Sequence, residues 1–226
     1  MNRVGILTFH SANNFGALLQ AVSLQKTIVE RGNMECELID YEPEFIRKDY
    51  SISPFKNKHP KAIIKSALRI PDKIKRNSKF QAFRVENTVC SKQCLSEGDF
   101  KNICNSFDEI VVGSDQVWNY NLTEHDMHYF LPEIGASVKK VAYAASTGGA
   151  DFSTQESNKM ILSLQNFSDI SVRESASKIA LGQRLKEKYI EVVLDPVFLT
   201  SKNNWMQLAA KPVKKDYILF FKMGYS

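Results

Sequence analysis

The chain opens with Val4-Gly5-Ile6-Leu7-Thr8-Phe9, a largely apolar run of the kind a strand covered on both faces requires. It then turns polar over His10 to Gly16. From Ala17 to Arg31, Leu18, Ala21, Val22, Leu24, Gln25 and Ile28 recur at helical spacing, with Gly32 placed to cap the end. Cys36 to Tyr41 returns to a strand pattern. Strand, helix and strand in that order predict a parallel βαβ unit with a right-handed crossover. The rhythm resumes after Phe107. Glu109 to Val112, Lys140 to Ala145, Ile170 to Val172 and Glu191 to Leu194 read as strands. Helices are expected from about Thr154 to Phe167 and from Ser175 to Leu181. At least six strands alternating with helices predict an α/β fold, a Rossmann-like, doubly wound, mostly parallel sheet.

Two stretches depart from that rhythm. Tyr50 to Asn105 is broken by Pro54, Pro60 and Pro71, and its basic helical pieces carry Ile63, Ile64, Ala67 and Leu68 on one side. It reads as a helical excursion from the sheet, over about 50–105. Near the other end, Lys211 to Asp216 reads as a polar linker, and Tyr217 to Phe221 as an apolar strand with nothing after it to pack against. The expected organisation is one domain over residues 1–210, with 211–226 as the linker and first strand of a second domain that is truncated.

In open α/β sheets, ligands bind beyond the carboxyl ends of the strands. Four polar loops directly follow apolar runs here: His10 to Gly16, Gly113 to Asn119, Ser146 to Gly149, and Arg173-Glu174. The first, with His10, Asn14 and Gly16 ahead of a helix, suits an anion or sugar hydroxyls at free N–H groups. A tight turn with Asn14 as helix cap fits it equally well. It is not a GxGxxG loop, so a dinucleotide fingerprint is unsupported. The second packs Ser114, Asp115, Gln116, Trp118 and Asn119 after a buried strand. Asp115 can hydrogen-bond a hydroxyl or take its proton, and the indole can stack on a sugar face. A capping Asp with a core Trp is the competing reading.

Charge changes the picture in one place. Lys plus Arg number 30 against 25 Asp plus Glu, a net charge of +5. Lys56 to Arg84 alone holds seven Lys, three Arg and one acid, Asp72. The basic character is therefore local, which argues against nucleic acid and leaves two readings of 56–84: a solvated helix face, or peripheral contact with an anionic membrane. The six-residue opening run is too short for a signal-peptide core or a membrane span. Cys36, Cys90, Cys94 and Cys104 do not form a disulfide framework in a chain of this length, so a cytoplasmic location is expected. No metal is expected: Cys90, Cys94 and Cys104, or His125 and His128, lack paired zinc spacings.

Several phrases together resemble the successive signatures of polysaccharide pyruvyl transferases. They are Thr8-Phe9-His10, Asn14 to Gln20, Phe107-Asp108, Val112 to Asn119, Tyr143 to Ser146, Ser171 to Glu174 and Val193 to Pro196. The resemblance runs in the family's order over nearly the whole chain. It implies the N-terminal half of a two-domain architecture similar to GT-B enzymes, with the active site between domains. It also implies transfer of the enolpyruvyl unit of phosphoenolpyruvate, a co-substrate rather than a cofactor, onto a saccharide or lipid-linked saccharide as a ketal. Asp115 matches the family's active-site aspartate and Arg173 its donor-binding arginine; Ser146 and Glu174 fall at matching strand ends. The family's essential histidine would lie in the second domain, a role not given to His10, so the truncated chain is expected to be inactive. A GT-B glycosyltransferase or nucleotide-sugar enzyme, or a non-catalytic remnant or subunit, remains an alternative on the same scaffold.

Overall fold

The computed structural model describes residues 2–53, 63, 66–210, 216–218 and 220. Residues 211–215 of the expected linker, residues 219 and 221 of the expected strand, and the basic stretch 54–62 with residues 64 and 65 lie outside the described residues. The strands are β1 (Arg3–Leu7), β2 (Glu35–Leu38), β3 (Glu109–Val112), β4 (Lys139–Ala145), β5 (Asp169–Val172) and β6 (Ile190–Val192). The helices are α1 (Phe15–Gly32), α2 (Glu44–Asp49), α3 (Ile70–Asn87), α4 (Glu97–Cys104), α5 (Asn158–Leu164), α6 (Ser175–Gly182) and α7 (Lys202–Leu208).

All six strands are parallel, in the order β2-β1-β3-β4-β5-β6. The chain steps from β1 to β2, then returns across β1 to lay β3 on its other side. That reversal makes the gap between β1 and β3 the switch point of a doubly wound sheet. Helices cover both faces, so the central strands are apolar on both. Leu7, Ile110 and Val112 join the larger core with Trp118, Tyr129 and Phe167. Val4, Ile6 and Val111 point to the opposite face and pack with Ala21 and Leu24 of α1.

The helix ends show what spacing resolves poorly. Asn14 caps α1, its Oδ1 accepting from the Ala17 N–H at 3.3 Å. At the far end the left-handed cap is Asn33, with φ of 49°; Gly32 is still helical. Asn reaches that region at little cost, which moves the cap by one residue. Pro71 starts α3 instead of breaking it, since the first turn needs no N–H from that position. The expected helix at 154–167 shortens to α5 because turns occupy the residues before Asn158.

The excursion contains α3 and α4, and α3 is mostly exposed, with Phe80 its buried residue. It is tied to the first loop by two cations. Arg84 donates to the carbonyls of His10 and Ser11, each at 3.0 Å, and Arg76 donates to that of Asn13 at 2.8 Å. Those two guanidiniums are structural, so the basic run is not a uniformly solvated face. No helix among the described residues is long and apolar enough to cross a membrane.

Candidate active site

At the switch point, β1 and β3 end side by side. Gly113 lets them close up, since a Cβ there would stand 3.0 Å from Thr8 Cβ. Thr8 then donates from Oγ1 to the Ser114 carbonyl at 2.6 Å, and Gln20 of α1 donates to Thr8 Oγ1 at 2.8 Å. The loop after β3 is sewn to the ends of β4 and β5. The Ser146 N–H reaches the Asp115 carbonyl at 3.0 Å, the Trp118 N–H the Ser146 carbonyl at 3.1 Å, and the Arg173 N–H the Ala145 carbonyl at 3.1 Å. Register shifts between β4 and β5 here, with Ala144 at φ 55°. A bulge of this kind re-aims the strand end.

These connections gather a charged cluster. Arg173 donates from Nη1 to Asp195 at 3.0 Å and to Ser114 Oγ at 3.2 Å, and from Nε to Glu174 at 2.8 Å. Ser114 Oγ also donates to Asp195 at 2.8 Å, and Asp195 caps the turn Pro196–Leu199 through the Val197 N–H at 3.0 Å. Burial would push the guanidinium down, but Glu174 and Asp195 outweigh it, and the Arg173 pKa is raised. Asp115 is the opposite case. Burial pushes its carboxyl up against the Gln116 N–H and the Arg173 charge, and Asp195 and Glu174 add to the rise. Its backbone is strained as well, at φ 103°. Strained, perturbed groups concentrate at functional sites.

A cleft of about 400 Å³ opens over the cluster, lined by Asn14, Gly16, Gln20, Asp115, Arg173 and Asp195, with Phe198 on its wall. Of the residues expected from sequence, Asn14, Gly16, Asp115 and Arg173 therefore meet in one cleft. Ser114 and Glu174 stand behind it, holding Arg173. Gln116 and Asn119 bond to each other at 2.8 Å and brace Gly148.

Three expectations need correction. Trp118 is fully buried, stacked on Phe130, edge-on to Phe167, and donates to the Tyr129 carbonyl at 3.0 Å. It is a core ring and presents no face to a sugar. His10 is also fully buried, its ring between the Thr8 carbonyl and Asp40. Ser146 is buried and accepts from the Gly148 N–H at 3.1 Å. Packing has claimed all three side chains. His125 and His128 part company: His125 pairs with Glu156, whereas His128 lies between Asp126 and Glu97.

Two cleft residues, Gln20 and Phe198, escaped the sequence reading. Gln20 is an amide on the buried face of α1, and that mismatch was its signal; its Oε1 is buried without a hydrogen-bond partner among the described residues. Asp195-Pro196 read as a strand end, with a place in the cleft lining as the alternative, and Asp195 takes that place. Phe198, 70% exposed on the cleft wall, was not singled out in the sequence.

Comparison with known proteins adds the remaining finding. No curated protein and no solved structure matches the chain. The family model described as "Polysaccharide pyruvyl transferase" matches residues 14–226, which takes in every cleft residue named above. The chain belongs to the polysaccharide pyruvyl transferase family.

Proposed function

We propose that the cleft serves transfer of the enolpyruvyl unit of phosphoenolpyruvate to a saccharide of a cell-surface polysaccharide or its lipid-linked precursor. Two sugar hydroxyl oxygens bond to C2 of the donor and its C–O bond to phosphate breaks. One hydroxyl proton ends on the former CH₂ carbon, making a methyl group, and the other leaves with phosphate. The reaction needs an acid for the enol carbon, a base for the hydroxyls and a clamp for the donor's anions.

The observation that carries this reading is Asp115: a half-buried carboxyl with a raised pKa, on strained backbone, beside the cleft's guanidinium. Such a carboxyl exchanges protons nearer neutrality than an exposed one. Arg173 keeps Nη2 without a protein partner among the described residues and offers it to the donor's carboxylate. The N-terminus of α1, with no acid in its first turn, faces the cleft at Asn14 and Gly16 and favours the phosphate. Gln20 Oε1 awaits a hydroxyl, and Phe198 supplies the aromatic face first sought in Trp118. In a two-domain arrangement similar to GT-B enzymes, this cleft would be one wall of the active site.

The test is to incubate the native gene product with phosphoenolpyruvate and a saccharide bearing two neighbouring free hydroxyls. Phosphate should be released only when the sugar is present, with a pyruvate ketal appearing on the sugar in equal amount. Consumption of a nucleotide sugar with no use of phosphoenolpyruvate would establish the glycosyltransferase alternative instead.

A further inference from the structure

Behind the cleft, a run of side chains connects the loop after β4 to Arg173. Its first members, Thr147 and Ser177, are each 1% exposed. The Thr147 N–H donates to Ser177 Oγ at 3.1 Å, and the two hydroxyl oxygens lie 3.0 Å apart. Ser177 Oγ donates to Glu174 Oε2 at 3.1 Å, and Arg173 Nε donates to Glu174 Oε1 at 2.8 Å. A carboxylate only accepts, so the single Ser177 hydroxyl proton goes to Glu174. Ser177 Oγ then accepts from both the N–H and the hydroxyl of Thr147, and the direction of every bond in the run is fixed. Glu174 is also the N-cap of α6, yet its side chain makes no capping bond. Its carboxylate serves the guanidinium and Ser177 instead.

The consequence follows from the shape of the guanidinium. Nε and Nη2 share one edge, and a carboxylate grips that edge best as a parallel pair, one oxygen on each nitrogen. Glu174 completes only half of that pair. Oε1 is on Nε, Oε2 is on Ser177, and Nη2 has no partner among the described residues. The remaining nitrogen, Nη1, is held separately by Asp195 and Ser114. The Glu174 side chain is 40% exposed, so packing alone does not keep it from swinging onto Nη2. The Ser177 hydroxyl is the group that occupies its second oxygen.

We propose that Ser177 is a positioning residue of the cleft: its hydroxyl draws Glu174 Oε2 away from Nη2, and the Arg173 fork stays open to an anion of the donor. Ser177 acts through Glu174 and touches no substrate. That the anion belongs to phosphoenolpyruvate rests on the transferase reading. That the fork is held open is observed without ligand, so the two can fail separately.

The experiment compares the native gene product with Ser177→Ala, Glu174→Gln and the double variant, each shown to be folded by thermal melting. Ligand-free crystal structures should place Glu174 Oε2 on Ser177 in the native protein and within hydrogen-bond distance of Nη2 in Ser177→Ala. Calorimetry with phosphoenolpyruvate should find Ser177→Ala weaker by about tenfold, the value of one charge-assisted bond. An amide has one acceptor oxygen and would turn N–H groups toward Nη2, so a glutamine at 174 cannot close the fork. The gain in affinity from Glu174→Gln should therefore be about tenfold larger in the Ser177→Ala background than in the native one, a coupling that loss of a negative charge does not produce by itself. If Ser177→Ala alone does not fold, Thr147→Val/Ser177→Ala removes both hydroxyls together, strands fewer buried donors and should show the same closure and the same loss. A fork still open without the Ser177 hydroxyl, or equal effects of Glu174→Gln in the two backgrounds, would overturn the proposal. A closed fork in the variant of a protein whose native form binds no phosphoenolpyruvate would uphold it and count against the transferase reading instead.

Discussion

At Arg173, which lines the cleft, the guanidinium satisfies Ser114, Asp195 and Glu174 through Nε and Nη1 and leaves Nη2 without a partner among the described residues. A lysine cannot hold two carboxylates and a ligand in that fork. Arg173→Lys is expected to weaken phosphoenolpyruvate binding about tenfold while leaving acceptor binding unchanged, measured by calorimetry. The two exposed-or-buried aromatics give a second pair of expectations. Trp118→Ala should cost about 3–5 kcal/mol in denaturant unfolding, as for other large core rings. Phe198→Ala should leave the melting curve in place and raise the acceptor KM roughly fivefold, the value of one stacked ring. A Trp118 variant that folds normally but loses acceptor binding would reverse the assignment. Sequence pattern singled out Asp115 and Arg173 because their loops directly follow apolar strands. It left Trp118 open between core and cleft and passed over Phe198, because an aromatic beside a strand end faces the core or the cleft according to loop path. Gln20 was likewise visible as a residue but not as a cleft wall.

Among the elements, the loop after β4 depends on two glycines with different demands. Gly148 has φ of 56°, and a Cβ there would come within 2.5 Å of Asn119 Nδ2 and Gln116 Oε1. Gly149 has φ of 82° with nothing near its missing Cβ. Gly149→Ala should therefore cost about 1–2 kcal/mol of left-handed strain alone. Gly148→Ala should cost more and also disturb the amide brace, a difference that paired thermal melts would resolve. The 3₁₀ turn His128–Phe130 carries a pH response. His128 Nδ1 lies 2.5 Å from Asp126 and Nε2 3.0 Å from Glu97, and Tyr41 donates to Asp126 at 2.7 Å. Burial would push His128 down, yet Asp126 and Glu97 outweigh it and its pKa is raised. For Asp126, burial pushes up but the bonds and charge of His128 prevail, and its pKa is lowered. The His128 contribution is thus full below the unfolded value, about 6.5, and is lost as pH rises through the raised folded value. Asp126 contributes above its unfolded value, about 3.9, and loses that contribution as pH falls through the lowered one. The stability difference between the native protein and His128→Gln should be about 1–3 kcal/mol near pH 6 and shrink toward pH 9. A difference that grows with pH would contradict the pairing.

For the whole molecule, the six strands were legible because parallel strands covered on both faces leave near-continuous apolar runs. Their order was not: nothing in Glu109 to Val112 says that β3 returns across β1 instead of extending past β2. That return creates the switch point, and with it the meeting of Thr8, Ser114, Asp115, Arg173 and Asp195. The general rule that ligands sit beyond the carboxyl ends of such strands points to the edge of the sheet where the cleft opens. The central claim is that Asp115 moves a proton in that cleft. It is tested most directly by acceptor-dependent phosphate release from phosphoenolpyruvate, comparing the native gene product with Asp115→Asn. The substitution preserves shape, and its folding is checked by thermal melting. The account expects turnover to fall roughly 10²-fold or more, with the melting temperature nearly unchanged. Native turnover in a folded Asp115→Asn protein would contradict it.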